Sequence, residues 1–159
     1  MPYDKINITA MTEECASTIS QWKYGGIYSF YDHREDDVSG YMSGTYFACK
    51  DTHGDLIGYF CFGEDARIPT IEKDVYDEGF LDIGLGLRPD LCGKKIGLSF
   101  LNCGLDYAKK SFGTINFRLS VAIFNERAVK VYKRAGFYIE HEVTNSYFKN
   151  KFFIMKHVC

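Results

Sequence analysis

Proline and tryptophan are scarce in this chain, three residues and one in 159. With the prolines scattered, no proline-rich linker, low-complexity stretch or internal repeat divides the sequence. A charge excess is also missing: 19 Lys and Arg stand against 21 Asp and Glu, for a net charge of -2. No large positive field exists to gather phosphates, which argues against nucleic acid as a partner. The six cysteines, Cys15, Cys49, Cys61, Cys92, Cys103 and Cys159, form no C-x-x-C pair. Their mostly apolar neighbours, as in Phe60-Cys61-Phe62, read as small buried hydrophobes in a reducing compartment. No run approaches the roughly 20 apolar residues of a membrane span. The start, Met1-Pro2-Tyr3-Asp4, carries no basic region followed by an apolar one, so a cytoplasmic protein without membrane contact is expected. His33, His53, His141 and His157 have no paired ligand spacing, and no metal site is expected.

Aromatic residues are abundant instead, at 16%, with 13 Phe and 12 Tyr. Together with 46% apolar and 25% charged residues they predict one packed domain over 1–159. Ile6–Ile8 reads as a short strand. Thr12 is placed to cap a helix carrying Cys15, Ile19 and Trp22 on one face, stopped by Gly25-Gly26. A short helix is expected near 35–42. Thr45–Lys50 and Leu56–Phe62 read as a hairpin around Asp51–Asp55. The polar connection 64–79 is long for a compact domain, so it is either a mobile binding loop or holds a short element.

The next segment carries the most information. Leu81, Ile83, Leu85 and Leu87 alternate with Asp82, Gly84, Gly86 and Arg88, a strand of period two. Its glycines imply a bulge or a ligand backbone close to the strand. Cys92-Gly93-Lys94-Lys95-Ile96-Gly97 then opens a helix to about Lys110, with Gly113 as its stop. Strand 115–123 follows, and Asn125 caps a helix through Ala135 that Gly136 ends. Phe137–Val143 and Tyr147–Met155 close the chain as an antiparallel hairpin. The order describes a mixed α/β sandwich.

Backbone N–H groups at a helix start form an anion site, and Lys94 and Lys95 place positive charge beside it. The spacing fits neither of two common phosphate motifs. Six residues separate Gly86 from Gly93, where a Walker A loop needs four. Gly84-Leu85-Gly86 runs into Arg88-Pro89 inside a strand rather than opening a helix, unlike a dinucleotide fingerprint.

Residues 81–97 resemble the glycine-bearing strand and cofactor loop of the GNAT superfamily of N-acetyltransferases. Residues 119–137, through Phe124-Asn125-Glu126-Arg127-Ala128 to Tyr132-Lys133-Arg134-Ala135-Gly136-Phe137, resemble its second signature. The chain is most similar to bacterial proteins like the ribosomal-protein alanine acetyltransferases. The resemblance implies a mixed, mostly antiparallel sheet of six or seven strands with helices on both faces. Central strands would splay to hold acetyl-coenzyme A. The family loop reads Gln/Arg-x-x-Gly-x-Gly/Ala; here Cys92 and Lys95 depart from it, while Gly97 matches.

On this resemblance, main-chain groups near Leu85 and Leu87 pair with the pantetheine arm, and one N–H stabilises the oxyanion. The loop Cys92, Gly93, Lys94, Lys95, Ile96 and Gly97 holds the pyrophosphate, and Asn125 touches the cofactor arm. Tyr132 matches the tyrosine that protonates the departing thiolate, or else is a core tyrosine on the inner helix face. Asp82 is either the general base for the amine or a structural carboxylate, solvated or paired with Arg88; Ser120, in the alternative base position, is too weakly basic. His141 beside Glu140 reads as a surface strand residue.

The implied activity is direct acetyl transfer from acetyl-CoA to a primary amine in a ternary complex. The alternative is a non-catalytic acyl-CoA-binding module of the same fold. Trp22, Tyr24, Tyr28, Phe30 and Tyr31 fall where the family builds its acceptor wall, or in the core. The acidic stretches 32–37 and 64–78 hint at a cationic acceptor. A monomer or a homodimer would serve equally.

Overall fold

The computed structural model describes residues 5–32, 38–113 and 116–158. The described residues form seven strands and four α-helices. They are β1 (Asn7–Ala10), α1 (Glu13–Ser20), α2 (Val38–Tyr41), β2 (Tyr46–Lys50), β3 (Leu56–Phe62) and β4 (Leu81–Leu87), then α3 (Gly97–Phe112), β5 (Phe117–Ala122), α4 (Glu126–Arg134), β6 (Tyr138–Thr144) and β7 (Lys151–His157). The strand order is β1-β2-β3-β4-β5-β7-β6. The β4–β5 pair is parallel; β1–β2, β2–β3, β5–β7 and β6–β7 are antiparallel. This is the mixed, mostly antiparallel sheet expected, with seven strands.

The chain forms two compact units, one of Met1–Cys61 with Leu85–Gly104, the other of Phe62–Gly84 with Leu105–Cys159. It passes from one to the other at the end of β3, within β4 and within α3.

In the first unit, Thr12 caps α1 as its sequence predicts: its hydroxyl accepts the Cys15 N–H at 3.1 Å. The helix ends at Gln21, four residues before the Gly25-Gly26 stop. A 3₁₀ turn over Gly26–Tyr31 follows, unforeseen because its aromatic side chains carry no helical period. Of the helix expected near 35–42, Val38–Tyr41 is present, and 35–37 lie outside the described residues. Ala16, Ile19, Trp22 and Tyr41 form the buried centre, with Tyr24, Tyr46 and Tyr59 packed on it. The Phe60 and Phe100 rings stack at 4.6 Å between centroids. Gly104 leaves room for that stack: a β-carbon there would lie 2.8 Å from Phe60 Cδ1.

In the second unit, Ile83, Phe117, Leu119, Val121, Phe137, Val143, Ile154 and Met155 are all buried. The connection 64–79 is held along its length here and contains a 3₁₀ turn at Glu64–Ala66. Ser146 N–H donates to the Pro69 carbonyl, Ile71 N–H to that of Thr144, and Ile68 N–H to the Tyr76 hydroxyl. Of its two expected forms, this is the one with a short element. Its acidic residues are partly engaged inside the protein: Glu72 Oε1 accepts the Thr144 N–H, and Asp77 binds Arg118 and Lys156.

Candidate active site

The residues singled out by sequence divide between the two units. Leu85, Leu87 and the loop Cys92–Gly97 belong to the first; Asp82, Asn125 and Tyr132 belong to the second.

Strand β4 leads into the loop. Its ladder with β5 consists of two pairs, Leu81↔Phe117 and Asp82↔Arg118. Leu85 and Leu87 are half-buried. The Leu87 carbonyl accepts a hydrogen bond from the Tyr24 hydroxyl at 2.7 Å. Gly86 has a reason that neither a bulge nor a ligand supplies: a β-carbon there would meet the Tyr59 ring, 2.8 Å from its hydroxyl oxygen. The phenol of Tyr59 is pushed up to about 12, chiefly by burial, with the Cys61 thiol adding to the rise.

After β4, Pro89–Leu91 make one 3₁₀ turn, and Arg88 closes it through a two-pronged pair with Asp90 at 2.6 and 3.1 Å. Arg88 therefore has Asp90, not Asp82, as its ion-pair partner. Cys92 is half-buried and its thiol points at the Arg88 carbonyl, 3.7 Å away. Gly93, Lys94 and Lys95 are exposed. The chain turns left-handed twice, at Gly93 (φ 76°) and at Lys95 (φ 64°). Lysine at position 95 thus takes a conformation that glycine adopts without cost. The first hydrogen bond of α3 runs from Phe100 N–H to the Ile96 carbonyl at 2.9 Å. The N–H groups that open the helix precede it, as an anion site requires.

In the second unit, Asn125 caps α4: its Oδ1 accepts the Ala128 N–H at 3.2 Å. Gly136 (φ 101°) follows the last turn, as expected. Tyr132 lies on the inner face of α4, 9% exposed, with its ring 6.3 Å from that of Phe137.

Asp82 is 3% exposed rather than solvated. Its Oδ1 accepts from Arg118 Nε at 2.6 Å; its Oδ2 accepts from Arg118 Nη2 at 2.9 Å and from Arg67 Nε at 2.8 Å. Arg118 is fully buried and also reaches the carbonyl and carboxylate of Asp77 through Nη1, at 2.9 and 3.1 Å. Beside it on β7, buried Lys156 bonds Asp77 at 3.0 Å and Glu140 at 2.6 Å, with the Phe80 ring 4.2 Å from its Nζ. Burial lowers the Lys156 pKa, but the bonds to Glu140 and Asp77 outweigh it and hold the amine above its ordinary value. Sequence reasoning missed this cluster. Of its members only Asp82 is singled out by the sequence; the signal passed over is an arginine among the apolar residues of β5. His141 is an exposed strand residue, as expected, 3.4 Å from Glu140.

No group of His, Cys, Asp and Glu among the described residues is arranged to hold a metal. None of the five described cysteines is in a disulfide. No described helix is long and apolar enough to cross a membrane.

The model of the acetyltransferase (GNAT) family matches residues 10–137. The chain belongs to this family. It is accordingly an acyltransferase, with the fold that the two signatures implied. No curated protein matches the sequence significantly. Solved structures of similar fold include a spermidine N-acetyltransferase SpeG chimera from Vibrio cholerae and hSSAT, with 16% identity, TM-score 0.73, and 96% of this chain and 95% of that one covered. The spermidine/spermine N-acetyltransferase SpeG from Vibrio cholerae in complex with manganese ions has 16% identity and TM-score 0.70, over 98% and 94% of the two chains. An acetyltransferase of the GNAT family from Bacillus anthracis has 13% identity and TM-score 0.73, over 96% and 94%.

Proposed function

We propose that this GNAT protein transfers the acetyl group of acetyl-CoA to a primary amine by direct attack in a ternary complex. The observation that carries the reading is the backbone of Cys92–Gly97. Gly93 at φ 76° and Lys95 at φ 64° give the turn into α3 a left-handed backbone, and turns of this kind can aim successive N–H groups at an anion. The main-chain N–H groups of that turn and the start of α3 supply the donors; Lys94 and Lys95 supply the charge.

In the proposed reaction the amine nitrogen forms a bond to the thioester carbon and the C–S bond breaks. Main-chain donors near Leu85 and Leu87 stabilise the oxyanion, and the Tyr132 hydroxyl gives its proton to the departing thiolate. Asn125 contacts the cosubstrate arm while capping α4. The amine must also lose a proton. Asp82 is poorly suited to take it, because three charge-assisted bonds occupy both of its oxygens, and its engagement favours the structural reading. An amine that attacks in its neutral form still sheds one proton once the C–N bond has formed; water can carry it away, or it can replace the proton that Tyr132 gives to the thiolate, so no carboxylate is required.

Calorimetric titration of acetyl-CoA into the purified protein, followed by turnover with an amine panel, tests this. Spermidine heads the panel because the SpeG neighbours act on it. Saturable binding and acetylated product are expected. Tyr132→Phe should keep acetyl-CoA affinity while kcat falls by about 10²-fold or more. Binding without turnover across the panel would favour the non-catalytic acyl-CoA module, and absence of binding would remove the reading.

A further inference from the structure

The peptide joining Leu87 to Arg88 is the last of β4, and both its polar ends are held. Arg88 N–H donates to the Ile57 carbonyl at 2.8 Å. The Leu87 carbonyl accepts the Tyr24 hydroxyl at 2.7 Å, from a side chain 63 positions earlier in the sequence. The first bond joins main chain to main chain; the second depends on one phenol. Tyr24 is itself placed by Asp32, whose Oδ1 accepts the Tyr24 backbone N–H at 2.6 Å. The Cys92 thiol lies 3.9 Å from the same Leu87 carbonyl, a weak donor at long range. Burial above all, reinforced by Tyr59, Cys92 and Asp32, pushes ionisation of Tyr24 well above the ordinary tyrosine range, so the phenol stays a donor.

We infer that Tyr24 is a positioning residue for the acetyl-CoA loop, its hydroxyl fixing the plane of the Leu87–Arg88 peptide and so the direction in which the chain enters residues 88–97. Asp32 sets Tyr24 in place, and the role assigned to both is to act through the peptide rather than on the acetyl group. The inference rests on the acetyl-CoA reading of that loop. The loop has particular need of a fixed entry: it carries a left-handed lysine, and Cys92 stands where the family has Gln or Arg. A strained turn keeps its shape only when its surroundings determine it.

The test is acetyl-CoA titration into the full-length wild type and four variants, Tyr24→Phe, Asp32→Ala, Asp32→Asn and Thr12→Ala. Tyr24→Phe is expected to raise the Kd about three- to tenfold, the worth of one hydrogen bond. Asp32→Ala should do the same, and Asp32→Asn, which keeps the acceptor oxygen, should bind like wild type. Thr12→Ala removes a helix cap in the same unit and loses comparable stability, yet should leave the Kd unchanged. Tyr24→Phe binding as tightly as wild type would overturn the inference, as would equal weakening by Thr12→Ala. Failure of the wild type to bind acetyl-CoA would instead overturn the acetyl-CoA reading itself, and the inference with it.

Discussion

Arg118 grips Asp82 with two parallel hydrogen bonds across the β4–β5 ladder, Nε to Oδ1 at 2.6 Å and Nη2 to Oδ2 at 2.9 Å. The two residues are register partners, and Lys156 is the partner of Arg118 on its other side. Three adjacent strands thus place a carboxylate, a guanidinium and an ammonium in one row. Asp77 and Glu140 balance the two cations from outside that row. A buried row of this kind adds little net stability over an apolar one, but removing one member leaves its partner charged and unpaired.

Asp82→Asn should therefore unfold the protein more easily, by about 3–5 kcal/mol in urea denaturation. The loss arises because fully buried Arg118 keeps its charge while its main acceptor becomes neutral. Were Asp82 also the proton acceptor of the reaction, kcat measured on the folded fraction of the variant would fall as well; with a structural role alone it should not.

The cluster also sets a pH window. The hydrogen bond from Lys156 holds the Asp77 carboxyl below its ordinary pKa, with burial opposing. A depressed carboxyl contributes stability above its unfolded pKa, about 3.9, and loses it as pH falls through the folded value. Lys156 is the reverse case: its raised pKa contributes below about 10.4 and is lost as pH rises beyond it. Thermal unfolding should show a plateau between these limits, with an acid limb that Asp77→Asn makes shallower. An acid limb identical in that variant would show that Asp77 plays no part.

Much of this was legible locally. Thr12, Asn125 and Gly136 act at helix ends through their immediate neighbours, so one stretch of chain contains cause and effect. The β4 pattern was equally plain, because period two needs only eight residues. What failed was inference about facing. Asp82 was open between a general base and a carboxylate solvated or paired with Arg88, and nothing in strand 115–123 singled out Arg118. Both are buried because the irregular segment 67–80, which leads directly into β4 and Asp82 but is far from Arg118 in sequence, brings Arg67, Tyr76, Asp77 and Phe80 around them. Gly86 was equally opaque: its constraint is the ring of Tyr59 on the neighbouring strand β3, which the local pattern of β4 does not contain.

That constraint makes its own prediction. Gly86→Ala forces a methyl into the Tyr59 ring and should cost about 1–3 kcal/mol, the usual range for overpacking. In a Tyr59→Ala background the same change should cost markedly less, and the double-mutant cycle reads the difference. Equal costs in both backgrounds would mean that Gly86 is required for some other reason.

The last prediction concerns Lys95. At φ 64° a side chain with a β-carbon is strained by roughly 1–2 kcal/mol, part of which glycine returns as unfolded-state entropy. Lys95→Gly should therefore stabilise the protein by about 0.5–1 kcal/mol in denaturant titration. Lys95→Val, β-branched and least tolerant of positive φ, should destabilise it. The effect on acetyl-CoA separates the two things this lysine does. If the backbone bend alone matters, Lys95→Gly binds as well as wild type or better, because the bend is retained without strain. If the charge matters, Lys95→Gly binds more weakly despite its greater stability, and the loss shrinks as salt screens the phosphates. Lys95 is exposed, so the charge term is small and the bend should dominate. A large, salt-sensitive loss of affinity in a stabilised Lys95→Gly protein would reverse that order.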